Sequence, residues 1–404
     1  MSQNVIGETE SLSFFPMDRG CPFAPPPELV KIAKTTPTPE VRLWNDTTIH
    51  LLTKWADIRA AYSDSRFSAN DKSPGYPRIT PSNANTMDPQ VFLRLDPPQQ
   101  LQQRRMVTKY FTANAVQKWR PHIEDITAKL IAEMRADGNS ADLVADFAAK
   151  LPAYLICDIL GVPRSERPRF QGHAEVLFGN SATPEEAYAS IRMMENFLRG
   201  LLRERQAEPR DDLISQLVQE QLDTGNIDER HLGGILDLLL NAGHDTTASM
   251  IAMSMGLLLQ DADAADRLRN DETVLATGVE ELIRMLGPVE LTQTRVAVDD
   301  VEVGGQQFHA GDGILPVISM ANRDPEVFEN PDTLQLDRKD NPHLSFGYGT
   351  HQCLGQNLAR LELQIILPTL LREFPTMRLA IRPEDIVPNN GYTIFGIKSL
   401  PVVW

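Results

Sequence analysis

Cysteine is scarce: Cys21, Cys157 and Cys353 are the three in 404 residues. An odd, widely spaced set builds no disulfide framework, and reduced thiols fit a cytoplasmic protein. No Cys-x-x-Cys or His-x-x-x-His spacing offers a zinc site. Long apolar runs are missing as well. The stretch from Met1 to Pro27 is broken by acids and prolines, so neither a signal peptide nor a membrane anchor is expected there. Positive charge is in deficit, with 39 Lys and Arg against 55 Asp and Glu, a net charge of -16. Such a surface repels phosphate backbones and anionic lipid, which sets aside nucleic-acid and membrane partners. There is no internal repeat and no low-complexity tract beyond Pro25-Pro26-Pro27. No G-x-G-x-x-G fingerprint for a flavin or nicotinamide occurs, so any electrons the protein uses come from outside.

What is present is ample apolar material, 42% of the residues, enough for a large core. Alternation of Val41, Leu43, Ile49 and Leu51 predicts early strands. From about Ala115 to Phe374 helical spacing dominates. Glu124–Arg135, Ser190–Arg205 and Arg230–Gln260 all carry apolar residues three and four apart. Asp211-Asp212 after Pro209 resembles a helix start. Val296, Val298, Val301 and Val303 alternate up to Gly304-Gly305, which reads as a hairpin. Arg323 to Leu344 is rich in Pro, Asp and Asn and reads as irregular. A last helix is expected from about Leu354 to Phe374, kinked or shortened by Pro368. The expectation is a mainly α chain with small β-sheets near both ends, forming one domain over residues 1–404.

The strongest local signal is Phe346-Gly347-Tyr348-Gly349-Thr350-His351-Gln352-Cys353-Leu354-Gly355. A cysteine at the mouth of a helix lies near unpaired N–H groups and the positive end of the dipole, which favour its thiolate. By itself such a cysteine is more often a buried structural thiol. The segment, however, resembles the F-G-x-G-x-H-x-C-x-G haem loop of the cytochrome P450 superfamily, most closely its soluble actinobacterial members. The resemblance runs from Gly20-Cys21-Pro22-Phe23 to the C-terminal strands. It implies a single triangular, mostly helical domain enclosing haem b, with Cys353 as iron ligand and Phe346 packed on the porphyrin. Thiolate ligation favours O–O cleavage. Cys21 and Cys157 have no such context and read as structural.

Further motifs carry the same resemblance. Glu281-Leu282-Ile283-Arg284 matches the family's E-x-x-R element, and Arg323 is the expected third member of its buried network. For the haem propionates the resemblance implies Arg104, Arg295 and His351. Gln100 stands where the family has a histidine and can donate a hydrogen bond without charge.

Asn241-Ala242-Gly243-His244-Asp245-Thr246-Thr247 interrupts an apolar helix with residues that are locally unfavourable there. It resembles the family's oxygen-activating element. Ala242 and Gly243 are expected to leave room beside the iron, Thr246 to donate a hydrogen bond where dioxygen is activated, and Asp245 to relay protons. His244 faces away from Thr246 and receives no catalytic role.

The resemblance implies a monooxygenase that hydroxylates or oxidatively couples a small organic molecule, a secondary metabolite. A ferredoxin with an NAD(P)H-dependent reductase is the expected electron source. A peroxide-driven peroxygenase and a nitric-oxide-type haem reductase are the alternatives, and a non-catalytic haem sensor is a third. The intact Asp245-Thr246 pair speaks against all of these. Substrate contacts are expected from Asn241, Val289, Thr292 and Ile394, with Phe92, Leu93, Leu177, Phe178, Leu291 and Phe395 nearby. Asp237 and Asn241, polar in Leu-rich surroundings, are expected to hydrogen-bond a polar group such as an amide or amine. Arg105, Lys109 and Arg360 are expected to form a basic patch for the ferredoxin.

Overall fold

The computed structural model describes residues 12–404 except 85 and 180, so the first eleven residues of the N-terminal stretch lie outside it. Its longer helices are α1 (Trp55–Ser63), α2 (Gln99–Thr108), α3 (Arg120–Ala136), α4 (Leu151–Leu160), α5 (Arg167–Phe178), α6 (Pro184–Ala207), α7 (Glu229–Leu258), α8 (Ala262–Asn270), α9 (Leu275–Leu286) and α10 (Gln356–Glu373). The strands are β1 (Glu40–Arg42), β2 (Thr48–Leu52), β3 (Phe67–Ser68), β4 (Ser140–Asp142), β5 (Arg295–Ala297), β6 (Val301–Val303), β7 (Gln306–Phe308), β8 (Gly313–Pro316), β9 (Arg378–Leu379) and β10 (Pro401–Val403).

Local chemistry sets the ends of the helices that matter. Asp228 caps α7 by accepting from the His231 N–H. Thr183 and Glu186 form a reciprocal capping box on α6, with Pro184 at its first position. Asp212 caps the short helix Leu213–Leu217, as its sequence signal suggested. Gly161 ends α4 in the left-handed region, φ 86°.

The 30-residue α7 is the axis of the molecule. It is buried on most of its circumference and packs on α4, α6 and α10. The main apolar cluster joins these helices with α3 and α9. Two smaller clusters lie under the five-stranded sheet, whose order is β1-β2-β8-β5-β3. β2 and β8 run parallel, and the other pairs of that sheet are antiparallel.

The valine alternation from Val296 to Val303 spans two strands in different sheets. β5 joins the main sheet and β6 pairs with β7 around Gly304-Gly305, both at positive φ. Val298 lies exposed between them, because its N–H donates to the Arg66 carbonyl as the chain leaves the sheet. Pro368 sits inside α10 without ending it. No helix among the described residues is long and apolar enough to cross a membrane.

Candidate active site

A cavity of about 740 Å³ lies between α7, the cysteine loop and the segments around residues 87–94, 288–295 and 393–394. Cys353 lies in its wall, three residues before α10 begins. Its loop is tight. The Cys353 N–H donates to the Phe346 carbonyl at 2.7 Å, and Gly347 and Gly349 take φ 70° and 73°. A Cβ on Gly349 would come within 2.9 Å of the Tyr62 carbonyl oxygen, so only glycine fits. Burial pushes the Cys353 thiol up. The Gly355 N–H, the guanidinium groups of Arg104 and Arg360, and the Gln356 N–H oppose this. The helix mouth therefore helps a thiolate without forming one alone. A metal cation bound at the sulfur would supply the rest, as ligand deprotonation is coupled to metal binding.

Arg104, Arg295 and His351 line the same cavity, and Arg94 joins them. None of the four pairs with a carboxylate among the described residues. Arg104 donates to the Gln352 carbonyl and Arg94 to the Tyr76 hydroxyl. Arg295 donates to the Thr294 carbonyl at 2.8 Å and lies over the Tyr62 ring. Burial and the charges of Arg295, Arg104 and Arg94 push His351 down to about 3. Three converging, uncompensated guanidinium groups, with the His351 N–H beside them, fit a dianionic group such as the two haem propionates. A thiol and a largely apolar cavity lining beside them complete the fit. Arg94 escaped the sequence reading, although it stands two residues before the Asp96-Pro97-Pro98 signal. Gln100 does not reach the cavity: it is buried, its amide donates to the Thr350 carbonyl at 2.8 Å, and its Oε1 has no partner.

Glu281 and Arg284 form a fully buried bidentate pair, 2.7 and 2.8 Å. The third arginine is Arg338, not Arg323. Arg338 Nε lies 3.0 Å from Glu281 Oε2. Arg323 instead donates to the carbonyls of Phe23, Met285 and Ser319 and pairs with Asp332. Glu281 also accepts from the Gln335 N–H and the Asn341 amide. It thereby ties down the irregular segment leading into the cysteine loop. Asn322 continues the tie, bonding the Arg284 carbonyl, Ser345 Oγ and the Leu344 N–H.

On α7, Ala242 is open to the cavity. Gly243 gives room of a different kind, since a Cβ there would meet Ile156 of α4 at 3.0 Å. Gly243 lines the cavity as well, so its missing side chain serves both the open space and helix packing. The Thr246 hydroxyl lines the cavity and donates back to the Ala242 carbonyl at 2.9 Å. Its lone pairs thus remain available, and rotation frees the proton. Asp245 is not in the cavity wall. Its Oδ1 lies 3.1 Å from His244 Nε2, and its charge is felt by Tyr392. His244 is buried, bonded to the Leu240 carbonyl and edge-on to Phe170.

Asn241, Val289, Thr292 and Ile394 all line the cavity, with Val289 and Ile394 joined by a β-bridge. Phe92, Leu93, Leu177, Phe178 and Leu291 line it too. Phe395 turns away beneath the Arg19 guanidinium, 3.6 Å from its ring centre. Glu362, missed in the sequence, also lines the cavity, and burial holds its carboxyl well above the usual range. The expected basic patch is largely neutralised. Lys109 is bonded to both oxygens of Glu220 at 2.6 Å, and Arg360 to both oxygens of Glu280 at 2.6 and 2.9 Å.

Comparison with known proteins agrees with this geometry. The family model for Cytochrome P450 matches residues 176–391. Cytochrome P450-SU2 of Streptomyces griseolus is 40% identical over 386 residues, 95% of each chain. The vitamin D3 dihydroxylase of the same organism is 39% identical over 399 residues, 98% of each. Among solved structures, the putative thioether synthase SgvP, involved in griseoviridin tailoring, superimposes with a TM-score of 0.93 at 32% identity, covering 98% of this chain and all of that one. GfsF gives 0.89 at 36% identity, covering 97% of this chain and all of that one. With near-complete coverage on both sides and a shared fold around the cysteine loop, the chain belongs to the cytochrome P450 family of monooxygenases, which bind haem b iron through a cysteine thiolate.

Proposed function

We propose that Cys353 is the iron ligand of this oxidoreductase, and that residues 1–404 act as one catalytic domain in the cytoplasm. Its substrate is a small secondary metabolite, which it hydroxylates or couples oxidatively. Electrons come from a ferredoxin reduced by an NAD(P)H-dependent reductase. Related proteins carry names such as pentalenic acid synthase, and the hydroxylase MycCI has been seen with mycinamicin VIII bound. These support an oxidative tailoring role.

The observation that carries the reading is the convergence of Cys353, Ala242 and Thr246 with three uncompensated arginines and the His351 imidazole on one cavity. Haem bound there supplies dioxygen activation. Arg94, Arg104, Arg295 and His351 hold the propionates, and Phe346 packs on the porphyrin. Val289, Thr292 and Ile394 confine the substrate. The Thr246 hydroxyl passes a proton into the cavity. Asp245, partly exposed at 24%, collects protons from solvent beside His244 and resupplies the threonine. No acid–alcohol pair is needed for simple haem storage.

The test is spectroscopic. Haem-loaded protein, reduced under carbon monoxide, gives the red-shifted Soret band of thiolate ligation, and Cys353→Ala abolishes it. A wild-type protein without that band, or a variant that keeps it, overturns the assignment.

A further inference from the structure

Asp237 is an anomaly in the cavity wall. The other acidic side chains there are neutralised. Asp71 faces Arg78 and accepts from Gln90. Asp88 pairs with Arg230 at 2.8 Å. Glu195 pairs with Arg192, Arg199 and Arg230. Burial disfavours the charged form of Glu362. Asp237 has neither lysine nor arginine within ion-pair reach among the described residues. Its neighbours are the Asn241 amide, 2.9 Å from Oδ1, and His173 Nε2, 3.4 Å from Oδ2. The other His173 nitrogen is engaged by Ser190 Oγ at 2.7 Å.

Asn241 explains how the carboxylate is held. Its side chain is only 4% exposed, and its amide donates to both the Asp237 carbonyl and Oδ1. Asn241 Oδ1 is buried without a hydrogen-bond partner, an arrangement that destabilises the fold. A residue kept at that expense, fixing a carboxylate one turn away in a mostly apolar cavity, marks a binding determinant.

On the monooxygenase reading above, we infer that Asp237 anchors a cationic nitrogen on the substrate, with Asn241 as its positioning residue. The cation supplies the partner that no arginine provides, in a setting where an ion pair is stronger than in water. Asp237 precedes Ala242 and Gly243 by five and six residues, roughly 8 Å along a helix rising 1.5 Å per residue. The oxidised carbon and the nitrogen therefore lie on different levels of α7, separated by a distance on the order of that rise.

The test uses octyltrimethylammonium, which cannot ligate iron, against octanol, which has a similar chain and no charge. Both are titrated calorimetrically into ferric haem-loaded protein. The wild type binds the ammonium at least tenfold more tightly. Asp237→Asn reduces the ratio to within twofold, and Asp237→Glu restores most of it. Equal affinities in the wild type overturn the inference and leave His173 as the true partner. A preference that survives Asp237→Asn overturns it as well. Either result with an intact thiolate Soret band leaves the monooxygenase reading standing, whereas loss of that band in the wild type is a failure of that reading instead.

Discussion

Replacing Arg338 by methionine separates two accounts of how the cysteine loop is held. Its Nε lies 3.0 Å from Glu281 Oε2, and the two side chains are 7% and 0% exposed. At an effective dielectric of 20, opposite unit charges at that distance attract by about 5.5 kcal/mol before desolvation. Breaking a buried pair by removing one partner typically destabilises by about 3–5 kcal/mol. Arg338→Met should therefore destabilise the fold by about 3 kcal/mol, a large share of the roughly 5–15 kcal/mol of a typical domain. Stability is read by urea unfolding with haem in fixed excess, since bound cofactor shifts the midpoint. The decisive quantity is coupling in a double-mutant cycle with Glu281→Gln. Arg338 should couple by about 2–3 kcal/mol, whereas Arg323→Met should be additive with Glu281→Gln to within about 0.5 kcal/mol. Arg323→Met is not neutral by itself, because it strips donors from three carbonyl oxygens. Coupling to Arg323 as large as to Arg338 would refute the assignment of the third arginine.

Further outcomes are expected at three other positions. Gly243→Ala pushes a methyl group against Ile156, which overpacking data place at about 1–3 kcal/mol, partly offset by about 1 kcal/mol of helix propensity. Urea unfolding should show a net loss, and Ile156→Val should recover it; a variant more stable than wild type would mean that propensity alone decides. His351 gives a pH test. Its folded value is pushed down to about 3 from 6.5 by burial and three arginines, so its contribution to haem-free stability is full above pH 6.5 and is lost progressively as pH falls toward 3. Haem propionates would offset those arginines, so the unfolding midpoint between pH 7 and 5 should fall more without haem than with it, and His351→Asn should remove the difference. Thr246→Ala should at least double the peroxide released per NADPH consumed, and unchanged coupling of NADPH to product would refute the proton role.

The parts of the site that read out of the sequence are those written in one stretch of chain. Cys353 and its glycines form one loop, and Ala242 to Thr246 form little more than one turn of one helix. The parts that did not are pairings between distant segments. Arg338 lies fifteen residues beyond Arg323 in a segment without helix or strand, where no periodicity indicates which arginine turns inward. Lys109 and Arg360 read as a free basic patch because their partners, Glu220 and Glu280, stand far away in the chain. Gly243 read as space beside the iron, and it does line the cavity, but its second role against Ile156 of α4 is fixed only once two helices cross. The helices were legible wherever one face alone is buried. The valine run from Val296 was misread at its centre, since alternation by itself does not reveal where a chain leaves one sheet for another.

Three arginines gathered without a counter-charge make the cofactor part of the architecture. A newly made chain that meets no haem keeps Arg94, Arg104 and Arg295 repelling one another around the uncharged His351 ring. Its folded state is then the weaker for it, and more of the chain is open to proteases at any moment. The amount of this enzyme in the cell should accordingly follow the supply of haem, with no dedicated regulator required.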